Sequence, residues 1–215
     1  LMNALTGEKL SIITPKAQTT RHRIMGMLSG EDYQIVYSDT PGIIEPKYEL
    51  HKAMMKFVES AFEDADLILF VQDIQDKRFN EDLFKKLERL NMPEHPPYFD
   101  KESLSDKTER FFASEIIREK IFTNYEQEIP YATEVSVISF KEQEDIIKIN
   151  AEIYVERKSQ KGIIIGKDGK SLKKVGTEAR KDMEAFFKKK VFLQTHVRVE
   201  DDWRKKEKKL NKFGY

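Results

Sequence analysis

Two short stretches of this chain carry residues whose types and spacing suit phosphate chemistry. The first is Asp39-Thr40-Pro41-Gly42, at the carboxyl end of a run that reads as a strand. A carboxylate there can hold Mg²⁺ through water, and a glycine three positions on lets a backbone N–H approach a γ-phosphate with no Cβ in the way. Asp-x-x-Gly alone equally describes a strand that ends in a turn. Thr19-Thr20, in a polar loop upstream, could complete a Mg²⁺ shell while γ-phosphate is present and let go after hydrolysis. Taken in isolation, a loop threonine bonding its own backbone is the plainer account of that pair.

The second stretch runs from Ile163-Ile164-Ile165 through Gly166-Lys167-Asp168-Gly169 to Lys170-Ser171-Leu172-Lys173. Two glycines flanking two polar residues, between two helical patterns, form a loop that a nucleic-acid backbone can approach closely. The helix beginning at Gly169 aims its amide N–H groups and positive dipole end at phosphate. Lys167, Lys170, Lys173 and Lys174 add point charges. Ile164 and Ile165 should floor an apolar groove for bases, with one of them in the core. A plain helix–turn–helix is the competing reading. Trp203, beside Arg204-Lys205-Lys206, is placed to stack on an unpaired base, whereas Phe192 on its strand reads as core. His22, His51, His95 and His196 are scattered, with no ligand spacing, so a metal site built by the protein alone is not expected.

Charge supports the second stretch. The 215 residues hold 38 basic and 38 acidic side chains, yet residues 1–97 sum to −4, residues 98–156 to −7 and residues 157–215 to +11. A block that basic is a candidate polyanion-binding surface. Zero cysteines exclude a disulfide scaffold, a thiolate zinc site and a cysteine nucleophile, and fit a reducing cytosol. The longest uninterrupted apolar run, 67–71, has five residues, far short of the roughly 20 that cross a bilayer.

The elements that must position these residues follow from periodicity. Residues 1–10 read as the end of an amphipathic helix stopped by Gly7, so residues preceding Leu1 are expected. SIIT at 11–14 suits a short strand and 15–23 a loop. Residues 24–28 and 33–39 suit a hairpin turning at 29–32, and 48–63 an amphipathic helix. LILFV at 67–71 suits a buried parallel strand, and 82–90 another helix ended by Asn91-Met92-Pro93. This α/β pattern stops abruptly, so a stretch is expected to be missing near 92–94, before a Pro-rich linker at 94–106 that separates two cores. Beyond it come a helix at 107–125, strands at 132–140 and 145–156, a short helix ending at Gly166, a longer helix at 170–187 and a strand at 191–200. The order is αββααβ, closed by a basic helix at 203–212.

Together these residues resemble the Era family of GTPases. KAQTTRHR (16–23) is similar to that family's switch loop and Asp39–Gly42 to its DxxG motif, while RFFASEIIREK (110–120) and EARKDM (178–183) are similar to its RNA-binding helices. The resemblance implies an α/β fold: an incomplete P-loop, Ras-like GTPase domain over 1–93, the linker, then an α+β type II KH domain over 107–215. It implies GTP/GDP and Mg²⁺ as cofactors, held by Thr19, Thr20, Asp39, Thr40, Pro41, Gly42 and Ile43. Thr20, beside Arg21, would be the direct Mg²⁺ ligand and Asp39 the one acting through water. Ile43 stands where Ras-type enzymes place a water-orienting glutamine, which implies slow hydrolysis. RNA would meet Ile164, Ile165, Gly166, Lys167, Asp168, Gly169, Lys170, Lys173 and Trp203. The implied partners are the 3′ end of small-subunit ribosomal RNA and the small ribosomal subunit. The implied state is a cytoplasmic monomer with peripheral association at the cytoplasmic face of the cell membrane. The family's phosphate loop, GxxxxGK[ST], and its NKxD motif do not occur in these 215 residues. A non-enzymatic, KH-type module for single-stranded RNA is the alternative.

Overall fold

The alternation at 24–28 and 33–39 becomes an antiparallel hairpin in the computed structural model, which describes residues 1–69 and 96–215. Strands β1 (Ile24–Ser29) and β2 (Gln34–Asp39) pair from Ile24↔Asp39 to Ser29↔Gln34. Ahead of them the short helix α1 (Met2–Thr6) ends where Gly7 turns left-handed at φ 76°. Helix α2 (Glu49–Asp64) buries Leu50, Met54, Val58 and Ala61, the stripe that its 3.6-residue period sets.

Residues 11–14 are irregular rather than a strand. The segment finds no edge on β1: β2 takes one side, and Leu104–Ser105 takes the other through Met27 N–H donating to the Leu104 carbonyl and a Gly26↔Ser105 bridge. Residues 67–69 form no strand either, and Leu67 and Leu69 are exposed. The remainder of that expected strand, the helix at 82–90, the break at 92–94 and the start of the linker lie outside the described residues.

The second half follows the expected αββααβ order. Helix α3 (Glu109–Asn124), capped by Thr108 accepting from the Phe111 N–H, precedes β3 (Glu134–Glu142) and β4 (Ile146–Val155). Helix α4 (Lys158–Ile165), helix α5 (Lys170–Phe187) and β5 (Lys190–Val199) complete it. The sheet order is β3-β4-β5, antiparallel then parallel, so β5 is an edge strand. Its core face carries Ile147, Ile149, Ala151, Ile153 and Val155 of β4, packed under Ile117, Ile121, Val175, Ala179 and Met183 of the helices. After β5 the chain makes one 3-10 turn at Trp203–Lys205 and ends in α6 (Glu207–Phe213), so the basic tail is two short pieces rather than one helix.

The second half has a core of its own, but the first half is joined to it rather than set apart by the linker. Leu50 and Met54 of α2 share one apolar cluster with Trp203 and Leu210, and Met2 and Leu10 share another with Phe112. The described part of the linker is clipped down as well: Gln34 exchanges side-chain bonds with the Phe99 backbone, and Asp106 accepts from the Met25 N–H. Helix α3 is consequently buried nearly all round, including Glu115, Arg118 and Glu119.

Candidate functional site

Between α4, α5 and the edge strand β5 runs a groove made of two adjoining hollows of about 380 and 340 Å³. Ile165, Leu172 and Leu193 give it an apolar floor, and Lys161 and Lys173 line it with positive charge beside Arg180 and Arg198, which pair with Glu184 and Glu152. The Gly166–Gly169 loop closes one end. Gly166 holds φ 71°, and a Cβ there would lie 2.1 Å from Ser171 Oγ, so only glycine fits. Asp168 at φ 54° and Gly169 at φ 72° continue the left-handed turn that delivers the chain into α5. Lys167, Asp168 and Lys170 are exposed around it, as is Lys173 one turn along the helix.

The loop is pinned from beneath. The Tyr125 hydroxyl donates to the Ile164 carbonyl at 2.6 Å, and burial pushes that hydroxyl up to about 12, so it remains a donor. Ile164 is fully buried and Ile165 half-buried, the split expected of that pair, while Ile163 faces solvent. Gln160 Oε1 accepts from the Glu156 and Arg157 N–H groups and fixes the start of α4.

Two residues fall elsewhere than expected. Trp203 is fully buried and donates its indole N–H to the Ala132 carbonyl at 3.0 Å, so it is a core residue and cannot stack on a base. Phe192 is 54% exposed on the outer face of β5 rather than in the core. The groove also contains residues that the motif did not name: Lys161, Gly176, Thr177, Arg180, Leu193 and Thr195. A signal for half of them existed, because Gly169, Leu172, Lys173, Gly176, Thr177 and Arg180 recur at three- and four-residue spacing on one helix face.

At the other end of the molecule Asp39 closes β2. Its carboxylate accepts from Ser11 Oγ at 2.7 Å, and burial raises its affinity for a proton above the ordinary aspartate value. Thr19 bonds Thr14 Oγ1 and the Lys16 carbonyl, and the half-buried Thr20 side chain has no hydrogen bond among the described residues. Pro41 is buried, Thr40 half-buried, Gly42 exposed and Ile43 56% exposed. A Cβ on Gly42 would meet nothing within 4 Å and its φ is ordinary, so the fold itself does not require glycine there.

The loop carrying the threonines is held against the second half. The Arg21 guanidinium donates to the Thr133, Pro130 and Tyr131 carbonyls and to Glu134 at 2.9 Å, both ions being at least nine-tenths buried. Lys16 Nζ donates to the Phe122 and Tyr125 carbonyls at the end of α3. Among the described residues no group of three or more His, Asp or Glu side chains could hold a metal ion unaided.

Family models match both parts of the chain: a KH domain over residues 128–204 and a 50S ribosome-binding GTPase over residues 1–99. The protein named GTPase Era of Syntrophus aciditrophicus (strain SB) is 37% identical over 274 residues, covering 100% of this chain and 90% of its own. The chloroplastic GTPase ERA1 of Zea mays is 39% identical, and the chain spans 66% of its length; it spans 65% of the corresponding Oryza sativa subsp. japonica protein. Each aligned region is longer than the 215 residues of this chain, so these relatives hold residues within the aligned span that it lacks. Among solved structures, Era in complex with MgGDPNP and nucleotides 1506–1542 of 16S ribosomal RNA superposes with a TM-score of 0.88 at 28% identity, covering 100% of this chain and 93% of that one. An Aquifex aeolicus Era variant bound to GDP.AlF4- matches with the same TM-score at 29% identity.

Proposed function

The chain belongs to the Era family of GTPases, and from that membership we propose that it is a GTP-hydrolysing switch that binds small-subunit ribosomal RNA and assists small-subunit assembly. The observation that carries this reading is the full-length likeness to an Era bound at once to MgGDPNP and 16S ribosomal RNA. Guanine nucleotide and Mg²⁺ supply the phosphoanhydride and the cation that offsets its charge. On this chain Asp39 would hold Mg²⁺ through water and Thr20 would be its loop ligand, with Thr19, Thr40 and Pro41 beside them. Gly42 would turn its N–H to the γ-phosphate, and the open space around it favours that use. Ile43 cannot orient water, so intrinsic turnover is slow.

These residues suit the magnesium side of such a site. The GxxxxGK[ST] loop and the NKxD motif of the phosphate and base sides do not occur in these 215 residues. The alternative reading is an RNA-binding KH module without hydrolysis. On either reading the groove takes single-stranded RNA. Gly166 and Gly169 admit the backbone, Lys167, Lys170 and Lys173 neutralise phosphates, Asp168 shapes the turn, and Ile165 lies under the bases while Ile164 anchors the loop. A monomeric, cytoplasmic protein with peripheral contact at the membrane's cytoplasmic face completes the proposal; the basic last 59 residues suit the membrane contact.

Phosphate release from GTP and binding of labelled single-stranded RNA, measured on the same chain, separate the two readings. Under the switch reading, release depends on Mg²⁺ and is lost in Asp39→Ala. RNA binding with no nucleotide binding establishes the module. Replacing Lys167 and Asp168 together by glutamates should weaken RNA binding by about 1–3 kcal/mol, and unchanged binding would remove the groove from the proposal.

A further inference from the structure

We infer that the face of the β3–β4–β5 sheet turned away from the helices is a second contact for single-stranded RNA, distinct from the groove. This inference rests on the reading of the groove as an RNA site. Alternation puts Lys141 of β3, Lys148 of β4 and Phe192 of β5 on that face, and the register makes them one row, Lys141↔Lys148 and Lys148↔Phe192. All three are exposed, Phe192 at 54%, and the exposed Lys190 stands two residues before Phe192 on the same face of β5.

Two features mark the row as made for an anion with a flat apolar group. Lysines directly opposite each other on antiparallel strands repel, and such pairs destabilise a sheet unless something negative lies between them. Among the described residues none of Lys141, Lys148 and Lys190 has an acidic partner within salt-bridge distance. Of the nearby acids, Glu142 pairs with Lys189 at 3.0 Å and Glu152 accepts from Arg198 and the Tyr154 hydroxyl, while the exposed Glu144 and Asp145 at the β3–β4 turn form no ion pair with the row. An exposed phenylalanine beside paired lysines on an open sheet is a base-stacking platform with its own phosphate clamp.

The surface is uncovered along this row and continuous with the groove. The C-terminal segment covers only the far end, where Phe213 packs on Tyr154 at a ring separation of 4.9 Å. Edge strand β5 borders both sites: Leu193 and Thr195 line the groove, and Phe192 and Gln194 lie on the open face. RNA leaving the groove across β5 therefore arrives on Phe192 and the lysine row.

The test is fluorescence titration of the whole chain with two single-stranded RNAs, one of about four nucleotides, the span that a GxxG loop clamps, and one of about 16. Lys141→Glu with Lys148→Glu should leave the short RNA unaffected and weaken the long one at least tenfold. Its salt slope should fall by about 0.7 for each phosphate that the variant no longer neutralises. Phe192→Ala should weaken the long RNA alone without changing the slope. Circular dichroism matching the parent chain verifies the fold of both variants. Parental binding of both RNAs by both variants overturns the inference, and so does parental RNA binding with altered sedimentation, which would assign the face to a second copy of the chain. If the parent binds neither RNA, or binds the short one regardless of the Lys167 and Asp168 substitutions, the groove reading fails instead.

Discussion

His22 stands neutral in a cage of rings, stacked on Tyr215 at 4.3 Å and touching Phe57 and Phe111, and burial lowers it from 6.5 to about 4. Glu115 and Glu134 favour its proton without offsetting that burial, and Arg118 and Lys107 oppose it. The unfolded chain takes up this proton below about pH 6.5 and the folded chain does not, so stability is full above that pH and declines toward pH 4, by about 3 kcal/mol at most. Asp39, raised by burial, works in the opposite sense from its ordinary value of 3.8 upward. Denaturant midpoints at pH 7 and pH 5 should therefore differ in the parent and converge in His22→Phe; an undiminished difference would place the proton elsewhere. At this scale the sequence was legible where alternation speaks. In VFLQTHVRV the inward set is Val191, Leu193, Val197 and Val199, a parity that puts Phe192 outside and overrules the reading of Phe192 as core from its apolar bulk. Trp203 was not legible, because its lysine and arginine neighbours read as surface while its burial depends on Leu50 and Met54 about 150 positions away.

Helix α5 combines two demands at the level of the element. Its inward stripe, Val175, Ala179 and Met183, makes the core, and its groove stripe includes Gly176, where a Cβ would meet nothing within 4 Å. A glycine inside a helix costs about 0.5–1 kcal/mol relative to alanine. No packing explains it here, and on the RNA reading its use is the close approach of a ligand. Gly176→Ala should raise the melting temperature while lowering RNA affinity; a rise in both would show that the groove does not need the space. The hairpin and the αββααβ order were legible from period and turn residues alone, to within a residue or two at most ends. The strand at 11–14 was not, because a β-prone tetrapeptide becomes a strand only if a free edge exists, and β1 has none to offer.

Across the whole molecule a buried ion pair ties the halves together beside the shared apolar clusters. Arg21 and Glu134 are 3% and 6% exposed, and the guanidinium also satisfies three carbonyls. Arg21→Ala would leave Glu134 buried with only the Tyr215 hydroxyl and the Val135 N–H as donors and no counter-ion, and should cost about 3–5 kcal/mol; Arg21→Lys should recover little, since an ammonium cannot fan across the same acceptors. Equilibrium unfolding of the three proteins tests this, and near-equal midpoints would contradict it. Family membership was readable from motifs on either side of this contact, but the contact was not, because Arg21 reads as an ordinary loop cation until the fold carries it to residues 130–134. Helix α3 has the same hidden character: its glutamates and arginine suggest a wet side, yet Lys9 reaches across to Glu119 and Glu115 grips Arg118 through two bonds. A rod that serves as the wall of two rooms cannot be withdrawn from one alone. Calorimetry should accordingly record one endotherm for the whole chain, with an enthalpy matching its van't Hoff value, in place of the two successive melts that beads on a string would give.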